Sequence, residues 1–504
     1  MNHATFLLTL MASLVSQFAA PAQGRELAGS RPNIVLVMTD DQGYGDLACH
    51  GNPLIKTPNL DRLHAESLRF TDFQVSPTCA PTRASLMTGR HEFKSGVTHT
   101  ILERERLSLT ATTIAQVLKS AAYSTGIFGK WHLGDEADHQ PGRRGFDEVY
   151  IHGAGGIGQT YPGSCGDAPH NKYVDPAILH NGKFEKSHGY CTDLFFAQAL
   201  RWIGEKSSVD TPFFAYITPN APHSPHVSPG PQYDALYEGR SVNGQLLDRE
   251  AVAYYGMITN IDDNIGRLLA KLDELGKAKD TLVIFMTDNG GTHTRLFSAG
   301  MRGSKNTPYQ GGTRVPCFWR WPGTLPAGVD VNRLTAHIDY FPTFASLAGA
   351  KLPEDVTLDG RSLVPLLQNP ASDWEDRYVF VHQGRWPRGE ADGAKFTNCA
   401  VRNAKFRLVN NAELYDLEVD PGETTNVIEK HPRVVAGMRA AYDSWWQAAR
   451  AGMVNEDAVG PDVNPFKALY WHQFGEQPDA KLLEQMKWAN AEKIDGGRRN
   501  RKSK

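Results

Sequence analysis

Cys79-Ala80-Pro81-Thr82-Arg83 sets a nucleophile-class side chain just before a helix start, with an arginine four residues on. The N–H groups of a helix start favour anions, so a thiolate is one use for that cysteine. A buried structural cysteine is the plain alternative. Asp40-Asp41 follows the apolar run Ile34–Met38, and Asp288-Asn289 follows Leu282–Met286. In an open α/β sheet, ligands gather at the carboxyl ends of strands. Two acidic pairs brought together there repel, and a hard cation resolves the repulsion. Four oxygen side chains fit Ca²⁺, or secondarily Mg²⁺, better than zinc. Each pair alone reads equally well as a turn or a cap.

Basic and imidazole groups follow other strands. Gly129-Lys130-Trp131-His132-Leu133-Gly134 lies past a strand over 124–128. Ala221-Pro222-His223-Ser224-Pro225, with His226 nearby, lies past a strand over 213–218. Lys305 ends Met301-Arg302-Gly303-Ser304-Lys305, shortly before Gly311-Gly312-Thr313-Arg314-Val315-Pro316. Singly these are weak signals, because a lone histidine between prolines or a lysine in a glycine-rich loop is usually a surface residue.

The elements that must position these groups read as follows. Ile34–Met38 and Thr281–Met286 are continuous apolar runs, as buried parallel strands are. Thr57-Pro58 caps a helix through Leu68. Residues 250–275 have helical periodicity and end at Gly276, a C′ glycine. Strands alternating with helices predict an α/β domain, a large mainly parallel sheet flanked by helices, over 31–370. Short strand candidates at 378–382, 400–401 and 405–409, then a helix over 433–451, predict a smaller α+β subdomain over 371–460. An extension over 461–504 ends in a solvated basic tail from Gly496.

The chain has 504 residues and a net charge of −3, which gives no sign of nucleic acid or an anionic membrane as partner. Phe6–Val15 followed by Ala20-Pro21-Ala22 reads as a signal peptide over 1–22. No later stretch reads as a transmembrane helix, so the expectation is an exported protein without stable membrane insertion. The absence of any Asn-x-Ser/Thr sequon directs that expectation to a bacterial periplasmic or secreted protein. Of six cysteines, Cys165 and Cys191 bracket one loop-like region and are the first choice for a disulfide. No Cys-x-x-Cys pair indicates a zinc ribbon.

The string from Cys79 to Arg90 resembles the signature of the type I sulfatases. In that family the cysteine of Cys-x-Pro-x-Arg is oxidised to formylglycine. The other motifs fall in the family's order: Asp-Asp, Cys-x-Pro-x-Arg, Gly-Lys-Trp-His-Leu-Gly, Pro-His-x-Pro, Thr-Asp-Asn-Gly, then Gly-x-Lys before Gly-Gly-x-Arg-Val-Pro. Asp339-Tyr340-Phe341-Pro342-Thr343, Leu358-Asp359-Gly360 and Glu413–Leu417 leading to Asp420-Pro421 extend the resemblance over about residues 31 to 430.

The resemblance implies an alkaline-phosphatase-like fold and hydrolysis of sulfate monoesters. It implies that Asp40, Asp41, Asp288, Asn289 and the modified Cys79 hold Ca²⁺. Arg83 and Lys130 would orient and polarise the formylglycine hydrate, and His132 would contact its second hydroxyl. His223 and Lys305 would bind sulfate near the leaving oxygen. A formylglycine-generating or anaerobic sulfatase-maturating enzyme is the implied partner. Gln310 departs from the family, where many relatives have Glu, and no serine contact to sulfate is identifiable in the diverged Gly153–Gly158 loop.

The expected substrate is a sulfated carbohydrate. It would be read by the segment 153–191 and by Arg385-Trp386-Pro387-Arg388, where an aromatic flanked by arginines suits an anionic sugar. Two alternatives stay open: a phosphomonoester or phosphonate-ester hydrolase of the same superfamily, and a secreted glycan-binding protein in which Cys79 stays a thiol.

Overall fold

Ile34–Met38 shows no polar alternation because both faces of its strand are buried. The computed structural model describes residues 26–209, 211–354 and 357–491; the expected signal peptide over 1–22 and the basic tail from Gly496 lie outside the described residues. Among the described residues, ten strands form the main sheet. They are β1 (Asn33–Thr39), β2 (Leu68–Phe70), β3 (Ser124–Lys130), β4 (Glu148–His152), β5 (Ala177–His180), β6 (Lys183–Lys186), β7 (Phe213–Thr218), β8 (Thr281–Thr287), β9 (Cys317–Arg320) and β10 (Val329–Val331). Their spatial order is β10-β2-β9-β8-β1-β7-β3-β4-β5-β6. The central block β8-β1-β7-β3-β4 is parallel, while β9 and the pair β5-β6 join antiparallel.

Period-two alternation divides β1 between two cores. Ile34, Leu36 and Met38 enter one apolar cluster, Val35 and Val37 the other; β8 splits in the same way, with Leu282, Ile284 and Met286 against Val283 and Phe285. Each such side chain contributes about 1.5–3 kcal/mol of burial. Helices α1 (Pro58–Ala65), α4 (Cys191–Ser207) and α5 (Arg249–Glu274) cover one face. Helices α2 (Cys79–Thr88), α3 (Ile114–Ser120) and α6 (Tyr340–Ala348) cover the other.

The first helix ends three residues before the expected Leu68, because Leu68–Phe70 is needed as a strand between β9 and β10. Gly276 follows α5 in the left-handed region, φ 66°, as its reading as a C′ glycine requires.

A second, four-stranded antiparallel sheet runs β11 (Val379–His382), β12 (Cys399–Arg402), β13 (Phe406–Val409) and β14 (Glu413–Asp416). Helix α7 (Pro432–Arg450) packs Met438, Tyr442 and Trp446 against it. Beyond it, α8 (Pro465–Phe474) returns to the edge of the main sheet, where Phe466 and Tyr470 meet the Phe184 ring at 5.9 and 5.5 Å. None of the described helices is long and apolar enough to cross a membrane.

The expected Cys165–Cys191 disulfide does not form; all six cysteines are free thiols. Cys165 accepts a hydrogen bond from Gly134 N at 3.1 Å. Cys191 opens α4 in the core beside Tyr190 and Phe195. Neighbouring positions in a loop-rich sequence do not put two Cβ atoms within bridging distance.

Candidate active site

The strand register builds the site. β1 and β8 pair residue for residue from Asn33↔Thr281 to Thr39↔Thr287, so Asp40 and Asp288 leave the sheet level with one another. Asp288 N donates to Thr39 O at 3.0 Å. Asp41 adopts φ 66°, a conformation costing about 1–3 kcal/mol for a residue with a Cβ. Its surroundings hold it there: Asn289 Nδ2 donates to Asp41 Oδ1 at 2.9 Å, and Asp41 N donates to Asp288 Oδ1 at 3.2 Å.

Helix α2 brings Cys79 and Arg83 over these strand ends, one turn apart and so on one face. Arg83 forks between three elements. It donates to Lys130 O at 2.9 Å, Thr218 Oγ1 at 2.6 Å and Asp288 Oδ2 at 2.9 Å. Lys130, the last residue of β3, donates to Asp40 Oδ2 at 2.6 Å, and Lys305 reaches the two oxygens of Asp41 at 2.5 and 2.7 Å. Three buried carboxylates thus face three cations. His132 Nε2 lies 3.0 Å from Thr100 O, and His223 Nδ1 lies 2.7 Å from Ser224 O while its Nε2 stands 3.7 Å from Asp41 Oδ2.

Burial pushes the Asp40 carboxyl up to about 6 although Lys130 opposes it, and burial with Asp40 alongside pushes Asp288 up to about 7. Burial acts on Asp41 in the same sense, but Lys305 and His223 outweigh it and hold that carboxyl well below the usual range. For Cys79, burial raises the thiol while Lys130 and Lys305 prevail and lower it. Burial, with Lys130 alongside, keeps His132 neutral; burial likewise brings His223 down to about 4 against the pull of Asp41.

Asp40, Cys79 and Asp288 each have a ligand atom within 4.8 Å of the other two. Asp40 Oδ1 and Asn289 Oδ1 are buried with no hydrogen-bond partner among the described residues. Buried oxygens are normally satisfied, and two unspent ones in an acidic cluster are what a hard cation takes up. The donor set therefore fits a Ca²⁺-class ion.

Above the cluster lies a cleft of about 230 Å³ whose lining includes Asp41, Cys79, His132, His223 and Lys305. The sequence-derived candidates that line no cleft, Asp40, Arg83, Lys130, Asp288 and Asn289, form the buried layer beneath it. Thr100 and Thr292 carry no sequence signal, whereas Gln159, Tyr161 and Ser164 fall within the segment 153–191 expected to read the substrate. The diverged loop 153–158 has a definite task. A Cβ on Gly155 would stand 2.8 Å from His132 Cε1, and one on Gly156 2.8 Å from His223 Cε1. These glycines let backbone approach both histidines.

The expected aromatic subsite is only partly assembled. Arg385 lines the cleft, donating to Asn306 Oδ1 at 2.6 Å and Thr100 Oγ1 at 2.7 Å. Trp386 is instead buried, its Nε1 donating to Glu456 Oε2 at 2.5 Å, and the Arg388 guanidinium lies over the Trp488 ring at 5.7 Å. Gly384 and Arg385 both take left-handed φ, 66° and 63°, and turn the chain there, so three near neighbours in sequence do not share one surface.

A family model described as Sulfatase matches residues 32–350, and one described as N-sulphoglucosamine sulphohydrolase, C-terminal, matches residues 304–441. Arylsulfatase A of Homo sapiens is 35% identical over 437 residues, covering 79% of this chain and 83% of that protein. N-acetylgalactosamine-6-sulfatase of Rattus norvegicus is 34% identical over 388 residues, covering 70% and 68%. Among solved structures, Ps i-CgsB superposes with a TM-score of 0.72 at 27% identity, over 90% of this chain and 99% of that one. The same protein is solved in complex with k-i-k-neocarrahexaose, at a TM-score of 0.71 and 27% identity, over 90% of this chain and 100% of that one.

Proposed function

Because the chain belongs to the sulfatase family of sulfuric ester hydrolases, we propose that it hydrolyses sulfate esters on a carbohydrate, using formylglycine made from Cys79 and Ca²⁺ held by Asp40, Asp41, Asp288 and Asn289. The observation that carries this reading is Cys79 itself, within ligand distance of Asp40 and Asp288 at the base of a cleft lined by Lys305, His132 and His223. As a hydrated aldehyde this side chain supplies one hydroxyl to attack sulfur and a second whose deprotonation releases sulfate. The ion supplies positive charge at the nonbridging oxygens.

This chain's own residues do the rest. Asp40, Asp41 and Asp288 balance Lys130, Lys305 and Arg83, so a divalent ion leaves the centre with an excess of two positive charges towards an anionic ester. Arg83 and Lys130 hold Asp288 and Asp40, and they orient and polarise the group at position 79. Lys305 and His223 face the sulfate and the leaving oxygen; loss of a donor such as Lys305 typically costs about 10²–10³ in rate. His132 donates Nε2–H to Thr100 O, which leaves Nδ1 as a buried lone pair without a hydrogen-bond partner among the described residues. A neutral imidazole so fixed is a proton acceptor for the second hydroxyl.

The carbohydrate assignment draws on the 27%-identical structure that holds a neocarrahexaose and on the relative named for N-acetylgalactosamine-6-sulfate. Arg385 adds a fixed guanidinium to the cleft, suited to a carboxylate or further sulfate on the sugar. Export to a bacterial periplasm or medium, where sulfated polymers are met, completes the proposal, as does a maturating enzyme that acts on Cys79.

The test pairs peptide mass spectrometry over Cys79 with side-by-side turnover of an aryl sulfate, an aryl phosphate, sulfated oligosaccharides and a steroid sulfate. An aldehyde at Cys79 and turnover of sulfated oligosaccharides are expected, with Arg385→Ala raising KM on the anionic sugars. Active protein with an unmodified thiol, phosphate preferred over sulfate, or turnover of the steroid alone would overturn the reading.

A further inference from the structure

Behind Asp41 and His223 lies a second group of metal-ligating side chains with different chemistry. His226 follows β7 in the loop that carries His223, Glu250 stands in the first turn of α5, and His293 follows β8. Each has a donor atom within 4.8 Å of the other two. His226 Nδ1 is 3.0 Å from Glu250 Oε1, and the two imidazole rings meet edge to face with centroids 4.7 Å apart. The His226 side chain is 3% exposed and His293 6%, whereas the Glu250 side chain is 64% exposed.

An ordinary ion pair accounts poorly for this arrangement. A His226–Glu250 pair requires a charged imidazole, yet burial lowers the pKa of His226 and brings His293 down to about 4. Nor does such a pair call for a second imidazole against the first. Two neutral imidazoles and a carboxylate are, by contrast, a usable ligand set, each ring keeping one nitrogen lone pair to offer at neutral pH. Asp41 and Asp248 face the group, and of the guanidiniums close by, Arg295 is spent on Asp248 Oδ2 at 3.0 Å while Arg249 lines the same cleft as His226 and Glu250. Entry is open, because His226 and Glu250 form part of the wall of a surface cleft of about 870 Å³ that Asp234 and Glu238 also line.

We propose that His226, Glu250 and His293 form a second metal site, one that takes a transition cation of the Zn²⁺ class and clamps the His223-bearing loop to α5. Two nitrogens and one carboxylate with a coordination position left over is a zinc-type set, distinct from the all-oxygen donors at the strand ends. The exposed glutamate supplies the movement needed to close the ligands from their present spacing to bonding distance. Tyr254 links the site to the cleft. Its ring stacks on His293 at 4.3 Å, and its hydroxyl lies 2.5 Å from Asp46 Oδ2 and 3.2 Å from the Asp41 carbonyl.

The full-length protein, held in saturating Ca²⁺, is titrated with Zn²⁺ by calorimetry, and bound zinc is counted by elemental analysis after dialysis. One zinc per chain is expected. Glu250→Gln, at an exposed position that the fold does not depend on, and His293→Gln should each weaken zinc at least tenfold and leave calcium content unchanged. Zinc should raise the unfolding temperature of the wild type and not that of Glu250→Gln. Zinc that binds equally well to both variants sits elsewhere, at the strand-end cluster, and overturns the proposal. So does a wild type that retains none. Sulfatase activity is not the readout, so failure here is separable from failure of the catalytic reading.

Discussion

One methyl group added at Gly155 should cost activity about a hundredfold, through a clash that also removes some stability. An alanine Cβ there would lie 2.8 Å from His132 Cε1 and 2.9 Å from Nε2. Carbon contacts are most favourable at about 3.5–4.0 Å, so the ring or the loop must give by about 1 Å. Neither moves freely. His132 is buried and tied to Thr100 O, while the loop is pinned by Ile157 N on Asn220 Oδ1 at 3.1 Å and Gly158 N on Asp167 Oδ2 at 2.9 Å. Overpacking of this kind costs about 1–3 kcal/mol of stability. A displacement of about 1 Å at a catalytic group costs about 10²-fold in rate. The assay is kcat and KM on an aryl sulfate, with formylglycine content and thermal unfolding measured on the same preparation. Gly142→Ala is the control, because a Cβ there meets nothing within 4 Å. A drop of about 10² in kcat at unchanged formylglycine content is expected for Gly155→Ala alone. Equal kcat in the two variants would refute the idea that this loop sets the position of His132.

Cys79→Ser should trap a covalent sulfate without turnover, since a simple alcohol has no second hydroxyl to expel it; intact-mass analysis after substrate exposure decides, and a serine variant that turns over refutes it. Asp288→Asn keeps the shape but removes one negative charge, so Ca²⁺ affinity should fall by roughly 10-fold or more, about 1.4 kcal/mol. Chelation should abolish activity, and Ca²⁺ should restore it better than Zn²⁺; an enzyme active after exhaustive chelation would exclude the role. Glu92, buried and accepting from Ser85 Oγ at 2.7 Å, is pushed up to about 7 by burial. A carboxyl raised in the folded state contributes stability below its unfolded pKa that is lost as pH rises through about 7. Glu92→Gln should therefore gain on the wild type between pH 5 and 8, by an amount on the order of 3 kcal/mol at most, in denaturant titrations at the two pH values. A pH-independent difference would show that Glu92 is not held protonated.

The parts of the fold legible in the sequence are those fixed by periodicity and strand ends. β1 and β8 read as buried strands because both faces meet helices, and their shared register makes Asp40 and Asp288 neighbours from 248 residues apart in chain number. Arg83 and Lys130 were legible through the motifs Cys-x-Pro-x-Arg and Gly-Lys-Trp-His-Leu-Gly, and the helix and strand that bear them converge on the same carboxylates. What stayed illegible depends on loops. Thr100 enters the cleft through a backbone path without a repeating pattern, Gln159, Tyr161 and Ser164 were legible only as members of the segment 153–191, and the arginines around Trp386 point apart for want of a helix to align them. The disulfide failed for the same reason, since closeness in sequence says nothing of where a Cβ points.

Gln310 shows why a departure from a motif need not be a loss. Its side-chain oxygen accepts from Arg407 at 3.2 Å and from Arg402 at 3.4 Å. A carboxylate is present as well, from another part of the chain. Glu423 Oε1 stands 3.3 Å from Arg407 Nε, and Glu423 Oε2 accepts from Gln310 N at 2.7 Å. Two buried guanidiniums require negative charge nearby, because an uncompensated buried charge costs several kcal/mol. Asp72, 2.5 Å from Arg402, and Glu423 meet that requirement for the two guanidiniums without a charge at position 310. The physical constraint at this joint between the main sheet and the C-terminal sheet is therefore charge balance over the group, which different residues can satisfy. Under the proposed Ca²⁺ reading the strand-end cluster is constrained more tightly, because each carboxylate there would also have to present an oxygen to one point in space.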